Sequence, residues 1–154
     1  MKQIEGMLDH LTGRVAIVAA RFNEEVVSGL LQGACEVFAQ HHFAEDQLTL
    51  VRVPGAFELP FMAQRLAKTG DYDAVLALGA VIKGETAHFE YICESATAGL
   101  SQVALTHDIP VIYGMLTTYT AEQALVRADV SAKNKGAEVG LALLDMLSLS
   151  QQVR

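Results

Sequence analysis

His88 lies in the run Gly79-Ala80-Val81-Ile82-Lys83-Gly84-Glu85-Thr86-Ala87-His88-Phe89-Glu90-Tyr91, and imidazole is the side chain that both accepts and returns a proton near neutral pH. Gly84 frees the backbone where a strand gives way to a helix. N–H groups near Glu85 and Thr86, the helix dipole and the Thr86 hydroxyl would then form an anion pocket one turn before the base. The other histidines, His10, His41, His42 and His107, have no comparable setting. Phe22, within Arg21-Phe22-Asn23, either stacks on a planar heterocycle or staples a helix that Asn23 caps. In Val53-Pro54-Gly55-Ala56-Phe57-Glu58-Leu59-Pro60, the Pro-Gly pair forces a tight turn. That turn leaves donors near Ala56 and Phe57 open, with Glu58 as a carboxylate for hydroxyls or ring N–H groups. The plainer reading makes Glu58 a favourable acid in a first helical turn. Arg127 and Lys135 either neutralise a phosphate, Arg127 with the better geometry for a two-pronged grip, or are solvated helix charges. The chain has no HExxH, GxSxG, Walker loop, GxGxxG or Cys/His ligand spacing. Its chemistry is therefore amine and carbonyl reactivity with proton shuttling, or none.

The elements that must position these residues are legible in the periodicity. Arg14 to Ala20, Leu48 to Val53, Ala74 to Ile82 and Pro110 to Leu116 are apolar runs of strand length. Ala74 to Ile82 is apolar throughout and belongs at the centre of a sheet covered on both faces. Between them fall helical stripes: Val26 to Phe38 after Asn23-Glu24-Glu25, Phe57 to Ala67 beginning near Ala56, and Phe89 to Ala104. Thr120-Ala121-Glu122-Gln123 has the form of a capping box for a helix to about Ala128, and a last helix runs from about Asn134 to Leu149. Strands alternating with helices imply right-handed crossovers, a central four-stranded parallel sheet and an α/β fold. We expect a three-layer α/β/α sandwich, flavodoxin-like, spanning residues 1–154 as one domain, with ligands at the carboxyl ends of the strands.

Composition narrows the function classes. The 11 basic against 18 acidic residues give a net charge of −7, which counts against a nucleic-acid partner, and no apolar run is long enough to span a membrane. The first residues lack a secretory signal, and Cys35 and Cys93 read as buried thiols, so a cytoplasmic location is expected. In the last helix only Glu138 and Asp145 are charged between Gly136 and Leu147, and apolar residues nearly encircle the axis. Such a helix points to packing against another copy of the chain. Residues 1–12 form an N-terminal arm that would serve the same end by pairing with a neighbouring subunit.

Six blocks in order resemble the lumazine synthase family. They are Ala20-Arg21-Phe22-Asn23, the run from Val53 to Pro60, the run from Gly79 to Tyr91, Pro110-Val111-Ile112-Tyr113-Gly114-Met115-Leu116-Thr117-Thr118, Glu122-Gln123-Ala124 with Arg127, and Asn134-Lys135-Gly136-Ala137-Glu138. The resemblance implies condensation of 5-amino-6-(D-ribitylamino)uracil with 3,4-dihydroxy-2-butanone 4-phosphate to 6,7-dimethyl-8-ribityllumazine, with release of phosphate and water. This is the penultimate step of riboflavin synthesis, and the family uses no cofactor or metal. It implies the pyrimidine ring against Phe22, the ribityl chain near Asn23 and Glu58, and the ring edges held by backbone at Ala56, Phe57, Glu58, Ala80, Val81 and Ile82. Glu85, Thr86 and Arg127 would bind phosphate, with His88 as the proton-transfer residue. It also implies a homopentamer whose sites lie between subunits, Tyr113, Arg127 and Lys135 coming from the neighbour, and riboflavin synthase as a pathway partner. Tyr113 departs from the more usual Phe and needs a partner for its hydroxyl, and Glu85 stands where a small residue is common. The stretch Asp129 to Lys133 lacks the glycines found in relatives that build sixty-subunit shells, which leaves higher assembly open. The rival readings are a non-catalytic flavin- or pyrimidine-binding module and a shell-forming scaffold on the same fold.

Overall fold

The computed structural model describes all 154 residues. Strand β1 (Val15–Ala20) shows how the sequence builds three layers. All six of its side chains are buried, and the pleat sends them alternately to the two faces. Val15, Ile17 and Ala19 enter one apolar core, whereas Ala16, Val18 and Ala20 enter the other. β2 (Leu48–Val53), β3 (Ala74–Ile82) and β4 (Val111–Thr118) complete an all-parallel sheet in the order β2-β1-β3-β4. The expected three-layer flavodoxin-like sandwich is the architecture found.

Helices α1 (Glu24–Gln40), α4 (Ala121–Ala128) and α5 (Lys135–Gln152) cover one face, with Leu30, Phe38, Leu143, Leu144 and Leu147 at the centre of that core. Helices α2 (Leu59–Thr69) and α3 (His88–His107) cover the other, through Leu59, Ala63, Leu100 and Val103. No helix is long and apolar enough to cross a membrane.

Helices α1 and α5 approach closely because small residues face each other. A Cβ on Gly136 would lie 1.9 Å from the Leu30 carbonyl oxygen, and one on Gly33 would lie 2.0 Å from Asn134 Oδ1. Buried Asn134 locks the junction. Its Oδ1 caps α5 by accepting from Ala137 N at 2.9 Å, while its Nδ2 donates to Gly29 O at 3.0 Å and Ala128 O at 2.9 Å. One side chain thus joins α1, α4 and α5, and it fixes Lys135 as the first residue of α5.

Several boundaries differ from the sequence reading. Ala56–Glu58 forms a single 3-10 turn, and α2 starts only at Leu59, with Pro60 supplying a first-turn residue that has no N–H to satisfy. β4 continues to Thr118 and α5 to Gln152. Cys35 and Cys93 are half-buried rather than fully buried, and burial raises both thiols above their usual range. The last helix is not enclosed within one chain, since Leu141 and Met146 remain exposed. The N-terminal arm partly covers it: Met7 N donates to Ser148 Oγ, and Gln152 Nε2 donates to Glu5 O, both at 2.9 Å.

Candidate active site

Parallel strands bring their carboxyl ends to one edge, and hydrogen bonds lace those ends together. Arg21 N donates to Val53 O at 2.8 Å and Phe22 N to Pro54 O at 3.0 Å, tying the segment after β1 to the end of β2. Lys83 N donates to Thr118 O at 2.9 Å, tying β3 to β4. Asn23 adds the link between β1 and β3. Its backbone is left-handed (φ 60°), a conformation Asn tolerates, and its side chain caps no helix. Instead Nδ2 donates to Ala80 O at 2.7 Å, leaving Oδ1 unpartnered within the chain. The capping alternative for Asn23 is thereby corrected.

These ends enclose a cleft of about 470 Å³ lined by Phe22, Asn23, Pro54, Gly55, Ala56, Phe57, Glu58, Ala80, Val81, Ile82, His88 and Ile92. Phe22 and His88, 66 positions apart in sequence, thus line the same crevice. Phe22 is 71% exposed and Phe57 59% exposed, so neither ring is consumed by the core. Two aromatic faces and an acid around a mostly apolar cleft suit a flat heterocycle that carries a polar chain. The turn at Ala56–Glu58 closes through Glu58 N to Gly55 O at 3.3 Å, with the N–H groups of Ala56 and Phe57 at its unsatisfied start. Ile92 is a lining residue the sequence reading passed over. It follows His88 by four positions, a spacing that puts both on one helix face.

The helix expected to open an anion pocket begins later than anticipated. α3 starts at His88, so Glu85 and Thr86 are exposed residues of the preceding loop and not of the first helical turn. A local turn competes with the helix here, for the Thr86 hydroxyl accepts the His88 N–H in a long bond of 3.4 Å. Neither Glu85 nor Thr86 lines the cleft.

Arg127, Lys133 and Lys135 line a second pocket of about 340 Å³ with Met115 to Thr118 and Glu138. This pocket shares no residue with the cleft. Thr120 caps α4 by accepting from Gln123 N at 3.1 Å, and Arg127 Nη1 donates to Gln123 O at 3.0 Å one turn on. The reciprocal bond of the expected capping box goes instead from Tyr119 N to Gln123 Oε1 at 2.9 Å. Lys135 Nζ pairs with Glu138 Oε1 at 2.9 Å, whereas Arg127 and Lys133 pair with no carboxylate. Tyr113, 38% exposed on β4, lies outside both pockets, and its hydroxyl accepts from Thr97 Oγ1 at 3.1 Å. The extra hydroxyl thus has its partner.

Lys135, and more weakly Lys133, hold the Glu138 carboxyl below its ordinary value of 4.5. Because the folded value is the lower one, this pair stabilises the fold above the ordinary value and loses its effect as pH falls through the folded value. Lys135→Met should move the Glu138 midpoint back up toward 4.5 in an NMR pH titration of its side-chain carbons. An unmoved midpoint would show that the ion pair is not formed in solution.

Residues 12–151 match the family model described as 6,7-dimethyl-8-ribityllumazine synthase.

Proposed function

The chain belongs to the 6,7-dimethyl-8-ribityllumazine synthase family, and from that premise we propose that each active site is completed by two adjacent copies of it. The activity is transfer chemistry in riboflavin biosynthesis: 5-amino-6-(D-ribitylamino)uracil condenses with 3,4-dihydroxy-2-butanone 4-phosphate to give the lumazine, phosphate and water. The observation that carries the shared site is the separation of the two pockets within one chain. One is aromatic, apolar and holds His88, whereas the other is cationic and holds Arg127 and Lys135. A reaction that joins a flat pyrimidine to a phosphorylated ketone needs both at one place.

In this reading the pyrimidine stacks on Phe22, with its edges on the backbone of Ala56 to Glu58 and Ala80 to Ile82 and its ribityl hydroxyls on Asn23 and Glu58. The adjacent subunit brings Arg127 and Lys135 to the phosphate, beside the loop of Glu85 and Thr86, and Tyr113 to the wall. The primary amine attacks the ketone carbonyl and water leaves to form an imine; elimination of phosphate then leaves an enol that tautomerises to a new carbonyl, on which the ribityl-bearing nitrogen closes the ring with loss of a second water. Holding two substrates together supplies much of the rate, and His88 moves the protons. The chain acts in the cytoplasm as a homopentamer, with residues 1–12 as an arm toward the neighbour. Free thiols at Cys35 and Cys93 and the uncovered Leu141 and Met146 support that setting.

A mixing experiment tests the shared site. His88→Ala should lower turnover roughly a hundredfold while pyrimidine affinity survives. Arg127→Ala should be impaired on its own as well. When the two proteins are unfolded together and reassembled in equal amounts, a chain with intact His88 will meet a neighbour with intact Arg127 at about a quarter of the sites. Activity should recover to that fraction of wild type. A mixture no more active than the mean of its parents would place both residues in a site within one chain.

A further inference from the structure

Lys83 is a cation that none of the roles above uses, and it is held from four directions. Its Nζ pairs with Glu90 Oε1 at 3.0 Å and lies 5.9 Å from the Phe89 ring centroid and 5.8 Å from that of Tyr119. Those two rings pack against each other at 6.1 Å, and the Lys83 backbone N–H is bonded to Thr118 O. The interaction is also felt electrically. Glu90 holds the Lys83 ammonium above its usual range, and Lys83 holds the Glu90 carboxyl below its own.

The position of this cluster gives it meaning. Lys83 immediately precedes the Gly84–Ala87 loop, Phe89 and Glu90 immediately follow His88, and Tyr119 belongs to the connection between β4 and α4. A Cβ at Gly84 would meet nothing within 4 Å, so that loop has no packing of its own to hold it at that point. Its two ends are instead pinned by one side chain that crosses from the strand end to the first turn of α3. Clamping both ends of a short loop removes most of its freedom, which lowers the entropy lost when an anion orders it.

We propose that Lys83 is a positioning residue for the phosphate end of the reaction, its ammonium set beside the Phe89 and Tyr119 rings and paired with Glu90 so that the Gly84–Ala87 loop and the start of α3 are preset for the phosphorylated ketone. The proposal deepens the reading of that loop as a phosphate contact and rests on it. The clasp touches no substrate. It acts through the loop, so it affects one substrate and not the other.

The test uses the whole assembled protein, with each substrate varied in turn. Lys83→Met should raise KM for the phosphorylated ketone about tenfold, leaving KM for the pyrimidine within about twofold, because an ion pair and two ring contacts are lost. Lys83→Arg keeps the charge and the stacking and should restore most of the loss. Calorimetric titration with inorganic phosphate should weaken in parallel. If Lys83→Met fails to fold, Glu90→Gln and Tyr119→Leu each remove one side of the clasp and should give smaller shifts in the same direction. A folded variant with an unchanged ketone KM, or with both KM values raised alike, overturns the proposal. Wild-type protein that makes no lumazine would instead overturn the functional reading beneath it.

Discussion

Replacing Arg127 with alanine should lower kcat/KM for the phosphorylated ketone about a thousandfold while leaving pyrimidine affinity within a few-fold of wild type. The size follows from what the guanidinium does. Its one bond within the chain goes to a backbone carbonyl of its own helix, and no carboxylate neutralises it. A phosphate closed into the site would meet it as a free charge, with Lys133 the other one in that pocket and only Arg127 offering a planar fork, since Lys135 is already engaged by Glu138. Losing a charged partner from a closed, hydrogen-bonded contact costs about 2–5 kcal/mol, and a thousandfold corresponds to about 4. Arg127→Lys should fall between the two, because an ammonium keeps the charge without the planar fork. Steady-state kinetics with each substrate varied in turn is the check. Equal losses for both substrates would remove Arg127 from the phosphate.

Gly136→Ala should destabilise the fold strongly. The new carbon would lie 1.9 Å from the Leu30 carbonyl oxygen, 2.6 Å from its carbonyl carbon and 2.7 Å from its Cα. All three are backbone atoms of α1, so no rotamer change relieves the contact and the helices must move apart. Separation would strain the bonds from Asn134 to Gly29 and Ala128, and would loosen the core around Leu143, Leu144 and Leu147. Overpacking of a tight core costs about 1–3 kcal/mol and sometimes more, and we expect the upper end or beyond. At about 2–4 °C per kcal/mol for a chain of this size, the melting temperature should fall by roughly 6–12 °C. Gly70→Ala is the contrast, since a Cβ there meets nothing and only the left-handed backbone opposes it. A thermal scan in which Gly136→Ala melts with wild type would show that α1 and α5 pack less closely than described.

The sheet was legible because a parallel strand covered on both faces leaves an unbroken apolar run, and Ala74 to Ile82 is such a run, closed by Gly84. The cleft was legible for a related reason. Its residues come as contiguous strings at strand ends, and fold topology alone brings strand ends together. What escaped were arrangements decided by single side chains. Nothing in Asn23-Glu24-Glu25 discloses that the asparagine amide turns away from its helix toward the carbonyl of Ala80, 57 positions on. The start of α3 was misplaced because the Thr86 hydroxyl offers His88 N–H a local partner that periodicity does not register. The clasp of Lys83 on Glu90 spans a loop, so helical spacing gave no hint of it. Asn134 read as an ordinary cap, yet two of its three bonds reach carbonyls on other helices.

Placing the aromatic cleft and the cationic pocket on different parts of one polypeptide has a genetic consequence. With the site shared between adjacent copies as proposed, a copy that lacks Arg127 still presents a sound cleft and withholds its cation only from the copy beside it. In a cell carrying one normal and one such allele, output should decline in proportion to the faulty copies and should not collapse. Two alleles with complementary lesions should partly restore riboflavin prototrophy that neither supports alone.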